Sequence, residues 1–466
     1  MTDHTPSWYP SNTPDDSSSQ ESPPSTALAP LEDPMHPPAR PSRRKFLGFA
    51  AAGVATVGGA SFALNPNGDA LSLPGTLPGV SSDAPSNESP TTTRPLVASE
   101  DVAGRTLVVI ELQGGNDGLA TLVPRNSGVL YDRREGVHIP DEELLDFTDE
   151  YGWNPSLAGL SNHGIAALVG LGTTNNPDGS HFEMEKRWWA GRSSGADLPA
   201  TGFFGRLCDQ LVTDQPVTGV ALGSGPSPSL RSDKAVTVGL ADPESGWFLR
   251  NEDLWFQNLR RGMAAMSPDD GSGGGPLASA RNGLSDTLAF ADVLNEIDNE
   301  RIRDAYPNGD LAFTLGVAAE LIRQDAGLRV LHLSHGGFDT HSDQRGSHNY
   351  LLAQLGDAMG AFLSDLGSLG LAESTLVCTT SEFGRRVADN RGGTDHGAAG
   401  MAMLAGPVAA GVHGESPSLT RLDDDNLIAT VDFEEYYATI AEKWFGIPSS
   451  EVLESAPAPI DGLITA

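Results

Sequence analysis

Acidic residues and histidines stand beside glycines in four short segments of this sequence, at residues 114–118, 335–341, 381–385 and 393–397. Carboxylate oxygens and imidazole nitrogens are ligands that proteins offer to zinc, manganese and calcium. Taken alone, each such residue is more often a turn, cap or surface residue. Their repetition in four segments favours a metal site over a purely structural polar network. The predicted ligands are Asp117, Asp339, His341, Glu382, Asp395 and His396, with His335 in reserve.

Ligands drawn from several loops are typical of a centre in which carboxylates bridge two metals, each with roughly three to five ligands. We therefore expect two divalent metal ions. Zinc or manganese suits a set of Asp, Glu and His ligands, and calcium stays open as an alternative.

A sheet must bring these segments together. Apolar runs of strand length at residues 106–112, 328–333 and 374–380 precede three of them. Further strands are predicted at 164–172, 217–222 and 235–240, and helices at 180–189, 201–213, 282–305, 310–324, 349–366 and 432–445. Alternating strands and helices predict an α/β fold with a mostly parallel sheet and helices on both faces. In such a sheet, ligands bind beyond the carboxyl ends of the strands.

The composition excludes some partners. The formal net charge is -33, which disfavours nucleic acid and anionic membrane surfaces. An anionic substrate would need local cations, from metal ions or arginines. Cys208 and Cys378 both stand among apolar neighbours, which predicts two small core residues rather than a disulfide.

The amino-terminal region predicts export. Residues 1–41 are rich in Ser, Pro, Asp and Thr, which predicts a disordered leader. Residues 42–63 place Arg43 and Arg44 before an Ala- and Gly-rich apolar run, as in a twin-arginine export signal. A transmembrane anchor is the alternative, but a run of about 18 residues with several glycines is marginal for a span. We expect the twin-arginine export machinery as a partner, and a periplasmic, cell-surface or secreted protein.

The remaining boundaries follow from composition. Residues 64–104 are dense in Pro, Ser, Thr and Gly and predict a flexible linker. The folded domain is expected at 105–447, and a loose tail at 448–466. Residues 180–183 read Ser-His-Phe-Glu, the pattern of a capping box, and predict a helix start.

Several motifs, taken in order, carry a resemblance to a known family: the paired arginines, Glu-Leu-Gln-Gly-Gly-Asn-Asp-Gly, Ser-His-Phe, Gly-Gly-Phe-Asp-Thr-His, Ser-Glu-Phe-Gly-Arg and Gly-Thr-Asp-His-Gly. Together they resemble the family called domain of unknown function 1501, which is placed in the alkaline phosphatase/sulfatase-like superfamily. The resemblance spans about residues 105–447 and implies an alkaline phosphatase-like fold. It also implies an exported metal-dependent hydrolase of phosphate or sulfate esters, with a small-molecule, carbohydrate or lipid ester as substrate.

The resemblance assigns roles to single residues. Asp117 would bind one metal, and Ser180, at a helix start, would be the nucleophile. Asp339 and His341 would serve the other metal, although Asp-x-His departs from the usual Asp-x-x-x-His. His396 would complete the site.

Other motif residues depart from the pattern or have open roles. Glu382 stands where an Asp-His pair is usual, and the sulfatase signature Cys/Ser-x-Pro-x-Arg is absent. Arg385 would hold a substrate oxygen or act as a structural ion-pair partner. Ser180 could equally be a helix cap, and the roles of Asn116 and His181 stay open. The alternative function is a catalytically lapsed, metal-stabilised binding or cell-surface scaffold protein.

Overall fold

The computed structural model describes residues 104–175, 177–194, 198–211, 215–243, 254–266 and 276–466. The predicted leader, the export signal and the linker up to residue 103 lie outside the described residues.

The strands of the described chain fall into a central sheet, a two-stranded ribbon and a small three-stranded sheet. Their bounds are β1 Thr106–Gln113, β2 Leu122–Pro124, β3 Leu145–Asp146, β4 Tyr151–Trp153, β5 Ile165–Gly172, β6 Gly219–Leu222, β7 Thr237–Leu240, β8 Val330–Gly336, β9 Thr375–Thr380, β10 Arg385–Asp389, β11 Thr394–His396, β12 Ala399–Ala405, β13 Gly411–His413 and β14 Val431–Asp432.

The helices lie mostly between strands of the central sheet. Their bounds are α1 Gly118–Thr121, α2 Gly128–Arg133, α3 His181–Ala190, α4 Phe203–Gln210, α5 Leu254–Met266, α6 Pro276–Asn295, α7 Asn299–Ala305, α8 Asp310–Arg323, α9 Gln344–Leu369 and α10 Phe433–Thr439, which a π-helical turn at Ile440–Trp444 extends. Among the described residues, no helix combines the length and the apolar character that a bilayer crossing requires.

The central sheet is mostly parallel. Within the described residues its order is β13-β5-β12-β9-β1-β8-β6-β7, with β14 beside β5. Only β12 runs against its neighbours, pairing antiparallel with both β5 and β9. Strand β1 lies in the middle, parallel to β8 on one side and β9 on the other.

Helices cover both faces of this sheet, which explains the unbroken apolar runs of the sequence. Val108 and Ile110 of β1 point into a core that contains Leu315 of α8 and Met359 of α9. Leu107 and its alternate neighbours point into a second core with residues of α3, α4 and α10. The predicted α/β class, with a mostly parallel sheet and helices on both faces, is confirmed.

Some local predictions were wrong. The single helix expected at 282–305 is two helices, because the Asp298 side chain accepts hydrogen bonds from the amides of Glu300 and Arg301 and starts α7. The capping box at residues 180–183 does not form, since the Ser180 side chain caps no amide of α3. Cys208 and Cys378 are buried and unpaired, as predicted.

The carboxyl-terminal segment is packed rather than loose. Val452 and Leu453 are buried in the second core together with Leu463. The Leu463 carbonyl accepts a hydrogen bond from the Ala409 amide, and the Thr465 amide donates to the Pro407 carbonyl. Composition did not predict this packing, because only a few apolar residues within a polar segment make the contacts.

Candidate metal centre

The common direction of the strands brings the predicted segments to one edge of the sheet. Strands β1, β8 and β9 are parallel, so the loops that follow them share their carboxyl edge. Strand β5 points the same way, because β12 is antiparallel to both β5 and β9, and the segment after β5 leads to α3. The ribbon of β10 and β11 returns to this edge and carries Asp395 and His396.

Three histidines and one aspartate meet at this edge. Oδ1 of Asp339 lies 3.0 Å from Nε2 of His341 and 3.0 Å from Nε2 of His396. These two Nε2 atoms are 2.9 Å apart. Nε2 of His181 approaches the other oxygen of Asp339 at 3.5 Å. We call His181, Asp339, His341 and His396 the ligand cluster.

Each histidine of the ligand cluster has its other ring nitrogen fixed by an acceptor. Nδ1 of His181 lies 2.8 Å from Oε1 of Glu382, and Nδ1 of His341 lies 3.1 Å from Oδ1 of Asp395. Nδ1 of His396 lies 2.6 Å from the Gly179 carbonyl oxygen. Carbonyl and carboxylate oxygens only accept hydrogen bonds, so every Nδ1 carries a hydrogen.

This arrangement leaves a lone pair on each Nε2 atom, and all three point toward the Asp339 carboxylate. Nε2 of His181 is buried and has no hydrogen-bond partner among the described residues. Lone pairs facing one another and a carboxylate repel unless a cation lies between them. A cation could therefore bind in the ligand cluster.

Arg385 forms an ion pair with Asp339. Its guanidinium donates to Oδ1 of Asp339 at 2.8 Å. Burial would raise the pKa of Asp339, but the hydrogen bond and the charge of Arg385 hold it below its ordinary value. The carboxylate is therefore ionised, as a metal ligand must be.

The guanidinium nitrogens of Arg385 also donate hydrogen bonds to the backbone. They bond to the carbonyls of Gly114, Gly115, Phe338 and Thr394. The residue is 1% exposed. Arg385 thus ties the loops after β1 and β8 to the ribbon, and its burial keeps it away from a substrate oxygen.

Arg386, the next residue, is partly exposed and less engaged. Its Nε donates to the backbone carbonyl of His396 at 3.3 Å. Its two terminal nitrogens have no hydrogen-bond partner among the described residues. It is the arginine beside the ligand cluster that keeps donors for another group.

Asp117 lies apart from the ligand cluster in a buried network. It is 1% exposed and pairs with Arg134 at 2.7 Å. Burial would raise the pKa of Asp117, but the charge of Arg134 and further hydrogen bonds lower it. It also accepts hydrogen bonds from the amides of Leu119 and Ala120, as the N-cap of α1.

Two other predicted ligands contact Nδ1 atoms of the histidine rings. Glu382 is buried, and besides His181 it accepts a hydrogen bond from the Gly114 amide at 2.8 Å. Asp395 is exposed, and Asn390 and His341 help to lower its pKa against the effect of its partial desolvation. Both carboxylates orient rings of the ligand cluster rather than join it.

The remaining candidates take separate places. Ser180 precedes His181 at the start of α3, is exposed, and its amide donates to Oδ1 of Asp178 at 2.7 Å. Asn116 is buried, where its side chain accepts hydrogen bonds from Thr121 and His348. His335 is buried beside α9, with Nε2 3.1 Å from the Leu351 carbonyl.

Sequence reasoning left the role of His181 open and did not single out Arg134 or Gln344. The motif Ser-His-Phe contained the signal for His181, because it stands next to the proposed nucleophile. Arg134 and Gln344 lie in segments without any motif, and only the fold brings them to Asp117.

The model of the family described as "Protein of unknown function (DUF1501)" matches residues 294–449. This match confirms the family resemblance that the sequence motifs indicate. No curated protein sequence matches the chain.

Solved structures with a similar fold include three distant ones. Ps i-CgsB in complex with k-i-k-neocarrahexaose is 10% identical, covers 76% of this chain and 75% of its own, and has a TM-score of 0.37. The PsFucS1 sulfatase from Pseudoalteromonas sp. is 11% identical, with 78% and 73% covered and a TM-score of 0.32. The phosphonate monoester hydrolase of Agrobacterium radiobacter is 11% identical, with 73% of each chain covered and a TM-score of 0.33. At such low scores, the geometry of this chain itself decides what the site can do.

Proposed function

We propose that this protein is a metal-dependent hydrolase of phosphate or sulfate esters, and that the ligand cluster holds its metal. The observation that carries the proposal is the common orientation of three histidines. Each Nδ1 is engaged by an oxygen acceptor, and each Nε2 is directed at the Asp339 carboxylate. Fixing one ring nitrogen so that the other can bind metal is the usual arrangement around protein metal ions.

The spacing of the ligand atoms fits a small divalent ion. Tetrahedral zinc with bonds of about 2.0–2.1 Å places neighbouring ligand atoms roughly 3.3 Å apart. In the ligand cluster four separations run from 2.9 to 3.5 Å, and the ligand atoms of His181, Asp339 and His396 all lie within 4.8 Å of one another. Three imidazoles and one carboxylate suit zinc or manganese, whereas calcium prefers oxygen ligands.

The surroundings suit an anionic ester. When bound, a divalent metal polarises an ester oxygen and lowers the pKa of a hydroxyl group or water. Ser180 lies beside His181 with no cap bond on its hydroxyl, which keeps it available as the nucleophile. Arg386 has donors left for a non-bridging oxygen. In a chain of net charge -33, such local cations determine where an anion binds.

The test combines metal content with activity. The wild-type protein is stripped with a chelator, reloaded with zinc or manganese, and assayed against phosphate and sulfate monoesters and diesters. We expect bound metal and ester hydrolysis in the wild type, and loss of both in Asp339→Asn and His396→Ala. His163→Ala removes a histidine that lies outside the ligand cluster, and it serves as the matched control. Folded wild-type protein that binds no metal would refute the proposal.

A second candidate is a metal-stabilised binding or cell-surface scaffold without catalysis. The burial of Arg385 and Asp117 favours it, because neither can contact a substrate in this arrangement. The same assay separates the two functions. Metal that stabilises the fold without any ester hydrolysis across the panel would favour the scaffold.

We also propose that the chain is exported by the twin-arginine machinery, on the strength of residues 42–63. Replacing Arg43 and Arg44 together by lysine should retain the protein inside the cell. Export that continues in this variant would contradict the proposal.

A further inference from the structure

We infer that the centre holds a single metal ion, and that the buried guanidinium of Arg134 supplies the positive charge at Asp117 where the family resemblance implies another ion. The inference rests on the proposed metal site, and it concerns how many ions that site takes. The observation behind it is that donors occupy both oxygens of Asp117 and that every guanidinium nitrogen of Arg134 donates a hydrogen bond.

The oxygens of Asp117 have no room for a metal. Oδ2 receives hydrogen bonds from Arg134 at 2.7 Å and from Gln344 at 2.5 Å, and the Thr394 hydroxyl lies 3.4 Å away. Oδ1 receives the amides of Leu119 at 3.1 Å and Ala120 at 3.2 Å. A carboxylate has about four lone-pair sites, so these donors use its full capacity.

Arg134 is fixed in this position by the ribbon. Its Nε donates to the Val387 carbonyl at 2.8 Å, and another nitrogen donates to the Arg386 carbonyl at 2.6 Å. The residue is 1% exposed. Because a guanidinium is charged at every working pH, it repels a divalent ion at the same carboxylate.

Glu382 is engaged in positioning a ligand and a loop. Its Oε1 accepts hydrogen bonds from Nδ1 of His181 and from the Gly114 amide, both at 2.8 Å. Within the described residues, the group of three or more ligand-type side chains whose ligand atoms meet is His181, Asp339 and His396.

The pair of Asp117 and Arg134 instead positions the ligand cluster. Gln344 bridges Asp117 and Thr394, since its amide nitrogen donates to the first and its oxygen accepts from the second at 2.6 Å. Gln344 follows His341 by three residues, and Thr394 precedes His396 by two. The ion pair of Asp117 and Arg134 is thus connected, through Gln344, to the two loops that present His341 and His396.

Titration of the metal-free full chain with cobalt(II) tests the inference. Elemental analysis after gel filtration gives the stoichiometry, and the visible spectrum of cobalt gives the end point. We expect one equivalent in the wild type, one in Asp117→Asn, and none in Asp339→Asn. The wild-type end point alone decides the count, so the test survives if Asp117→Asn does not fold.

The outcomes separate this inference from the proposed function. Two equivalents in the wild type would overturn the single-ion inference and leave the metal site standing, whether or not Asp117→Asn loses one of them. No bound metal in folded wild-type protein would overturn the proposed function itself. One equivalent that is lost in Asp339→Asn supports both.

Discussion

A histidine ligand depends on the group that holds its other nitrogen, and here Asp395 makes this dependence testable. Asp395 contacts Nδ1 of His341 at 3.1 Å and is exposed, so its removal should leave the fold intact. Loss of such a partner typically weakens metal binding about 10–100-fold. We therefore expect Asp395→Ala to raise the dissociation constant of zinc by about that factor, measured by competition with a chromophoric chelator.

The control for this prediction is Asp461→Ala, which removes the same charge from an exposed residue that pairs with Lys443. It should leave zinc affinity unchanged. Equal weakening in both variants would show that net charge, rather than the orientation of His341, sets the affinity.

Arg386 allows a second test at the scale of the residue, because it keeps donors that its buried neighbour Arg385 does not offer. Arg386→Gln removes the two terminal nitrogens that face no described partner, together with the 3.3 Å bond from Nε to the His396 carbonyl. We expect an unchanged metal content and a KM about tenfold higher, equivalent to about 1.4 kcal/mol. The measurement is steady-state kinetics on the best ester of the panel. Arg323→Gln, at the end of α8 that precedes β8, removes a charge from the opposite edge of the sheet and should leave KM unchanged. A fall in kcat at constant KM would contradict a binding role for Arg386.

At the scale of elements, the longest helix is held by a close crossing. Helix α9 crosses the short helix at Pro155–Leu160, where Gly356 and Gly360 lie against Leu157 and Gly159. A Cβ atom on Gly360 would collide with the Gly159 carbonyl. Because α9 begins just after His341 and carries Gln344, this crossing also fixes the ligand cluster.

We predict that Gly360→Ala lowers the free energy of unfolding by about 1–3 kcal/mol, as overpacking of a close contact does. Gly367→Ala is the matched control in the same helix, because its Cβ would meet nothing within 4 Å. There, alanine should stabilise by about 0.5–1 kcal/mol through helix propensity. Urea denaturation measures both values. Equal effects at the two positions would mean that the crossing is not tightly packed.

At the scale of the whole molecule, periodicity and glycine-bearing motifs predicted the sheet class, its principal strands and the edge that carries the candidate site. They also selected Asp339, His341 and His396, which the fold brings together. They could not show that hydrogen-bond donors occupy both oxygens of Asp117. Arg134 is held against Asp117 by its bonds to two carbonyls of the ribbon, and no motif marks it. The ribbon itself is short and polar, so neither of its strands has the apolar run that indicates a strand.

The ligand cluster joins parts of the chain that are distant in sequence, so metal binding should stabilise the whole fold. His181 follows β5, Asp339 and His341 follow β8, and His396 ends the ribbon. A ligand that binds only the folded state adds about 2.7 kcal/mol at a free concentration of 100 Kd. We therefore predict that zinc raises the Tm of the chelator-treated wild type by a few degrees, measured by calorimetry, and that this rise disappears in His396→Ala. A rise of the same size in that variant would place the stabilising ion elsewhere, because His396 supplies one of the converging Nε2 atoms.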